Sequence, residues 1–425
     1  MAIKLNYDGK YFTSLERIDV EVNSIVDNND HILVSGLGDY HGHVMHLGNV
    51  LLGLNLGDCK SITQCIELCR NYKNRRGEWL IGRGWNNENW GGEFPVRSDL
   101  DEIYPDTPVI LERIDGHMAW VNSKALELAG INSTTKNPEG GEILRNDMGE
   151  ANGLLVDNAM DIVKNIIPKP SKPELKEIIK HSISELKRSG IDIVCDMDVH
   201  FEWLDAFKEM AENDELGIDV ISYLRGFDGQ WEKLQAQAEK IGRLNLKGLK
   251  FYSDGALGSR GAALLEDYSD DPGNKGLILN SMELIYDVAQ KAIPAGFEIA
   301  VHAIGDRANR IVLDLFEKLR SEFPKAELRI EHAQIVHPDD WKRFKELNVK
   351  SYIQPMFEIS DASMADKRLG ERVNYAYPWK QLLENGAELF GSSDFPIESH
   401  DPLTGLNALI DHGLDKKEAI EIYRY

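Results

Sequence analysis

The chain has 425 residues, 42% hydrophobic and 28% charged, enough to bury a large core and too much for one small domain. Acidic residues outnumber basic ones 71 to 48, and the net charge of -23 argues against nucleic acid or an anionic membrane as partner. The start, "MAIKLNYDGK", has no apolar run of signal-peptide length, no later stretch approaches the roughly 20 apolar residues of a membrane span, and the four cysteines (Cys59, Cys65, Cys69, Cys195) make no CxxC pair. A cytoplasmic protein with reduced thiols is expected.

In chain order, "KLNYDGKYFTSLERIDVEVNSIVDN" reads as a small β appendage within residues 1–35. The run "HILVSGLGDYHGH" from residue 31 is the first strand of the main domain, 36–425. A long insertion follows at about 60–185. Its aromatic- and glycine-rich stretches "GRGWNNENWGG", "DGHMAW" and "GGEILRNDMG" suit loops over a substrate pocket. Seven further β-rich runs begin at 191, 218, 246, 297, 328, 349 and 387, alternating with helix-patterned segments. Eight such units predict an α/β fold, a closed (β/α)8 TIM barrel with its chemistry at the carboxyl ends of the strands. "NVLLGLNLG" after the first strand is read as core packing, with a mouth helix or a homo-oligomer contact as the alternatives.

The strand ends carry the chemistry. In "GDYHGHVM", His41 and His43 are two apart and share one face of a strand, so they can share a metal ion. Alone, the pair is equally compatible with two histidines on a wet rim. Strand five ends in His302, strand six in His332 and strand eight in Asp394, and a barrel gathers all five on one rim. Imidazole and carboxylate are preferred ligands of zinc and similar divalent ions. Taken singly, each histidine reads as a satisfied core residue and Asp394 as a helix cap; their convergence outweighs those readings. In "AVHAIGDRA", Gly305 lets the chain turn sharply after His302, Asp306 favours the following helix terminus, and Arg307 pairs locally. Lys250 in "LKFYSDG" points into the barrel, which is costly unless the amine is paired or modified. It is either a salt-bridge partner of Asp254 or Asp394, or a carbamylated, metal-bridging carboxylate.

With "GDYHGH", "IGRGWNNENW", "DGHMAWVNSKALELAGI", "LKFYSDGALGSR", "VHAIGDRANRIVLDLFE", "RIEHAQIVHPDD" and "LFGSSDFPIESHDPLTGLNALI" on the page, the chain resembles the amidohydrolase superfamily. The resemblance is specifically to amidohydrolase family 3, the branch with N-substituted formamide deformylase-like enzymes, and it runs from about residue 36 to 410. It implies a two-ion site, zinc first, with manganese, iron or cobalt as alternatives. One ion would take His41, His43 and Asp394, the other His302 and His332, with carbamylated Lys250 between them. It further implies a metal-bound hydroxide as nucleophile, Asp394 as proton shuttle, His332 and His117 as catalytic partners, and Trp85, His117 and Asp254 as candidate substrate contacts. The expected reaction is cleavage of an amide, N-formyl or N-acyl amine. Esters, lactones or phosphoesters on the same site are the alternative, then a deaminase, and last a non-catalytic metal-binding protein. Related deaminases carry a glutamate three residues past the fifth-strand histidine, where this chain has Gly305. The family's β-sandwich is expected to be reduced to a small amino-terminal sheet, and "GSSDFP" has an extra serine where relatives read G-S-D.

Overall fold

The computed structural model describes residues 2–233 and 237–425. It divides into two compact units, one of Met1–Leu47 with Ile179–Tyr425, the other of Gly48–Ile178.

The first unit contains two sheets. Ala2–Tyr7, Phe12–Ile18, Val26–Asp27 and His31–Val34 form a four-stranded antiparallel sheet in which the first strand lies between the second and the fourth. Ile3, Leu5 and Val34 are its fully buried side chains. "HILV" therefore belongs to this small sheet and not to the barrel. Ser35 and Gly36 interrupt the run, and the barrel begins at Leu37.

Eight parallel strands follow in chain order, each beside the next: Leu37–Gly42, Ile191–Val199, Asp219–Arg225, Leu244–Tyr252, Glu298–Ala303, Leu328–His332, Val349–Ile353 and Glu388–Gly391. All seven ladders between them are parallel, and Glu239–Ile241 adds a short antiparallel strand to the fourth. This is the expected (β/α)8 barrel. Strand eight meets strand one just beyond the last ladder residues. There Asp394 N–H donates to His41 O at 2.8 Å and His43 N–H to Phe395 O at 3.0 Å. Asp39 braces the same seam, accepting from Ser393 Oγ at 2.6 Å and from the amides of Ser393 and His41, each at 3.2 Å. Strands buried on both faces read as near-continuous apolar runs, which is why the eight stood out in the sequence. Ile193, Cys195, Met197, Tyr223, Ala300 and Tyr352 pack together inside the barrel.

The helix Asp306–Glu322 shows how a strand end is tied to its successor. Ala308, Val312, Leu315, Phe316 and Leu319 form its buried stripe. Gly305 caps it with φ -73° and ψ 156°, an ordinary conformation, so a left-handed turn is not what demands glycine. The reason is close approach: a Cβ on Gly305 would lie 2.0 Å from the backbone oxygen of Ala263. Asp306 Oδ1 accepts from the amides of Leu265 (2.8 Å) and Arg307 (2.9 Å). Arg307 departs from the expected local pair: it forms no ion pair among the described residues, and its Nε is buried without a partner.

The second unit has its own six-stranded sheet, in the order Gly141–Arg145, Ala151–Asp157, Met118–Val121, Val109–Arg113, Leu80–Trp85, Leu54–Asn55. Trp85, Trp120, Leu54 and Leu56 share one of its cores with Cys59, Cys65 and Cys69. All four cysteines of the chain are buried and free. No helix among the described residues is long and apolar enough to cross a membrane.

Gly305→Ala is expected to destabilise the first unit by about 1–3 kcal/mol, because a backbone oxygen cannot step aside as a flexible side chain can. Denaturant unfolding measures this; a wild-type midpoint would mean that the two backbones do not approach so closely.

Candidate active site

Four of the expected histidines, Lys250 and Asp394 come together at the carboxyl ends of the barrel strands. His41 and His332 ring centroids are 4.9 Å apart, those of His302 and His332 4.5 Å, and those of His41 and His43 5.6 Å. Nε2 of His43 lies 3.0 Å and Nε2 of His41 3.4 Å from Asp394 Oδ1. His41, His332 and Asp394 each offer a ligand atom within 4.8 Å of the others, and all three are buried.

Partners behind the rings fix their protons. His41 Nδ1 donates to Glu331 Oε2 at 2.6 Å, His43 Nδ1 to the carbonyl of Met197 at 3.0 Å, and His332 Nδ1 to Gln354 Oε1 at 2.7 Å. Carboxylate and carbonyl oxygens only accept, so each Nδ1 carries the hydrogen. His43 Nε2 also meets an acceptor, Asp394 Oδ1 at 3.0 Å, while Nε2 of His41 and of His332 keeps a lone pair. That is the tautomer a metal ion requires. His302 shows the same need differently: its Nε2 is buried with no hydrogen-bond partner, 3.4 Å from Asp254 Oδ1. A buried polar atom left alone is uncommon, and a cation would satisfy it. The donor set therefore fits divalent metal.

Burial dominates the electrostatics. It holds His41 and His332 well below the usual imidazole range and His302 down to about 3, with the Lys250 charge acting in the same direction on all three. Burial also pulls on His43, but its hydrogen bond to Asp394 and that carboxylate's charge prevail and raise it. Asp394 is opposed by burial too, yet His41, His43 and Lys250 hold it below the ordinary carboxylate value. Lys250, 1% exposed, is drawn down to about 8 by burial, against the pull of Glu331 and Asp394. Among the described residues it forms no ion pair with Asp254 or Asp394; Nζ lies 5.1 Å from the centre of the Tyr252 ring.

Other expected residues are placed elsewhere. Asp254 is 0% exposed, and its two oxygens accept from the amides of Ala263 (2.8 Å), Gly305 (2.9 Å) and Ile304 (3.0 Å). It clasps the loop after strand four to the end of strand five and presents no surface to a substrate. Trp85 is likewise 0% exposed, its indole N–H donating to Leu111 O at 2.8 Å, so it is core of the second unit and not pocket wall. His117 is 76% exposed on the second unit, with Nδ1 2.8 Å from Asp157 Oδ1. In "GSSDFP" the additional serine is accommodated: Ser392 Oγ donates to Ile353 O at 2.8 Å, and Ser393 braces Asp39.

Sequence reasoning missed the support beneath the site. Arg329, 2% exposed, binds Glu331 through Nε and, at 3.1 Å, Nη2, which also donates to Tyr40 O at 2.9 Å. Its guanidinium lies 3.1 Å from the Tyr352 ring centre and 4.5 Å from that of Tyr223. An Arg-x-Glu pair inside a run of otherwise buried strand residues was the available signal. Backbone strain supplies the rest. His332 (φ 77°) and Asp394 (φ 57°) are non-glycine residues in the left-handed region. Strand alternation would aim Glu331 and His332 to opposite faces, yet both reach His41; the left-handed His332 breaks the alternation.

Eight parallel strands closed in a ring, with imidazoles and a carboxylate gathered at their carboxyl ends, define a (β/α)8-barrel protein of the class that works at this rim. The profile of the amidohydrolase family matches residues 24–423, and the chain belongs to that family. It is 33% identical over 404 residues to Protein LONG AFTER FAR-RED 3 of Arabidopsis thaliana, spanning 89% of this chain and 68% of the relative. To the putative amidohydrolase YtcJ of Bacillus subtilis it is 31% identical over 414 residues, spanning 95% and 77%. An uncharacterized metal-dependent hydrolase from Pyrococcus furiosus matches in structure with a TM-score of 0.79 at 30% identity, covering 91% of this chain and 80% of that one.

Arg329→Met should leave Glu331 as an unpaired buried charge and cost about 3–5 kcal/mol of stability. Adding Glu331→Gln should restore part of that loss in a double-mutant cycle. Additive losses would mean that the two side chains are not coupled.

Proposed function

We propose that this chain is a divalent-metal-dependent hydrolase that cleaves a carbon–nitrogen bond in an amide, an N-formyl amine or an N-acyl amine. One observation carries the reading. Two imidazoles, His41 and His332, are held with Nε2 unprotonated by acceptors on their far side, and Nε2 of His41 and of His43 face the same oxygen of Asp394. Family membership and the likeness to the metal-dependent hydrolase support the hydrolytic part. In this reading His41, His43 and Asp394 would hold one ion and His302 and His332 a second, zinc before manganese, iron or cobalt. Lys250, carboxylated, would serve both, which would account for a buried amine that forms no ion pair among the described residues. Such ions, when bound, polarise a scissile carbonyl and bring the pKa of water from 15.7 to about 7.

The protein groups divide the remaining work. Asp394, kept ionised between His41 and His43, takes a proton from the attacking water and returns it to the departing amine nitrogen. Glu331, Met197 and Gln354 hold the imidazoles in place during that exchange. A deaminase is disfavoured by Gly305: any Cβ there would meet the Ala263 oxygen at 2.0 Å, so the position has no room for a proton-delivering glutamate. The small-molecule substrate is expected to reach the site without nucleic acid or membrane as partner, in keeping with the net charge of -23.

Elemental analysis is expected to find two divalent ions per chain. Chelation should abolish turnover of N-acyl amines, and zinc or manganese should restore it. Two bound ions with no activity on N-acyl amines, esters, lactones or phosphotriesters would sink the catalytic reading. His302→Asn should abolish turnover while the unfolding midpoint stays near wild type. Lys250→Ala should lose bound metal and activity together, with partial recovery on adding short carboxylic acids; indifference to the substitution would refute a bridging role.

A further inference from the structure

One charged pair at the barrel rim lies outside the ligand set. Asp198 follows Met197, whose carbonyl holds His43, and it adopts φ 58°. Left-handed non-glycine residues at the carboxyl ends of the barrel strands otherwise occur in the site itself, at His332, Ala333 and Asp394. Such a conformation costs on the order of 1–3 kcal/mol and persists where its side chain has a task. The Asp198 carboxylate is 12% exposed and grips Arg225 through two bonds, Nε to Oδ1 at 3.0 Å and Nη2 to Oδ2.

Arg225 ends strand three. Tyr223, two residues earlier, packs inside the barrel, so alternation aims Arg225 toward the same interior, at its open end. Its Cα is the ladder partner of Lys250, and the next amide, that of Gly226, donates to Lys250 O at 2.9 Å. Tyr252, whose ring centroid is 5.5 Å from that of His302, continues the neighbouring strand at the same level. With 39% of its side chain exposed, the guanidinium is accessible, and Asp198 has fixed its plane in advance. Asp198 occupies the Nε/Nη2 edge. The Nη1/Nη2 edge remains, with two parallel N–H groups of which Nη1 has no protein partner among the described residues. That edge matches a planar pair of oxygens.

We propose that Arg225 is a specificity-determining residue of this site, that Asp198 is the positioning residue which orients it, and that the substrate carries a carboxylate received by the free guanidinium edge. This rests on the metal-dependent hydrolase reading above. The substrate class is then an N-acyl or N-formyl amine with a carboxylate on the portion lying toward strands two and three. A purely structural Asp198–Arg225 pair would be indifferent to that group.

Two arms of one experiment test it on the metal-loaded protein. In the first, kcat/KM is compared for N-acylated amino acids and their uncharged carboxamides; wild type should favour the acids at least tenfold, and Arg225→Gln should bring the ratio to within about threefold of unity, mainly through KM. Arg225→Lys, which keeps the charge but not the fork, should fall between. In the second, glutarate and butyrate are titrated calorimetrically: the glutarate-to-butyrate affinity ratio should drop about tenfold or more in Arg225→Gln. Equal ratios in wild type and Arg225→Gln overturn the inference. The titration needs no turnover, so failure of the C–N hydrolase reading would show in the first arm alone.

Discussion

The bond from His41 Nδ1 to Glu331 is the contact on which this barrel end depends. Several imidazoles, a lysine and carboxylates occupy a region where an isolated charge would be prohibitive. What makes that tolerable is a relay of complementary charge. Arg329 satisfies Glu331 from below, between two tyrosine rings, and Glu331 remains an acceptor for His41. His41 then faces Asp394 with its lone pair. Were Arg329 absent, Glu331 would be a buried carboxylate with no guanidinium beneath it, at a cost that breaking a buried ion pair makes large.

A second constraint is directional. A parallel strand aims alternate side chains at opposite faces, so it cannot present two neighbouring residues to one point. This site needs that: Glu331 and His332 both reach His41. Left-handed conformations at His332 and Asp394 meet the need locally, one at the last ladder position of strand six and the other past the end of strand eight, where twisting the backbone disrupts little of the sheet. Strain and chemistry coincide because the strand's own geometry is what must be broken.

This explains what could be read from the letters. All eight barrel strands were legible, because double-sided burial leaves uninterrupted apolar runs, and the ligand candidates were legible because they end those runs. The first strand was begun too early, at 31, since "HILV" has the same pattern but pairs in the amino-terminal sheet. Trp85 and Asp254 are candidate substrate contacts only through the family resemblance; the indole finds Leu111 and the carboxylate finds three backbone amides, partners that no local pattern specifies. Arg329 and Glu331 escaped notice because charged residues in a core strand have meaning only once the strands across the barrel are known. Gly305 was noticed for the wrong reason, as a turn, when its neighbour at Ala263 is what excludes a side chain.

The seam between strands eight and one has a consequence for biosynthesis. The bonds that shut the ring, Asp394 to His41 and His43 to Phe395, join residues more than 350 positions apart and involve three of the proposed ligands. A nascent chain emerging from the ribosome must keep His41 and His43 uncommitted until strand eight has been made. Assembly of this cluster and completion of the cylinder are thus a single late event, and before it only half of the proposed binding site exists.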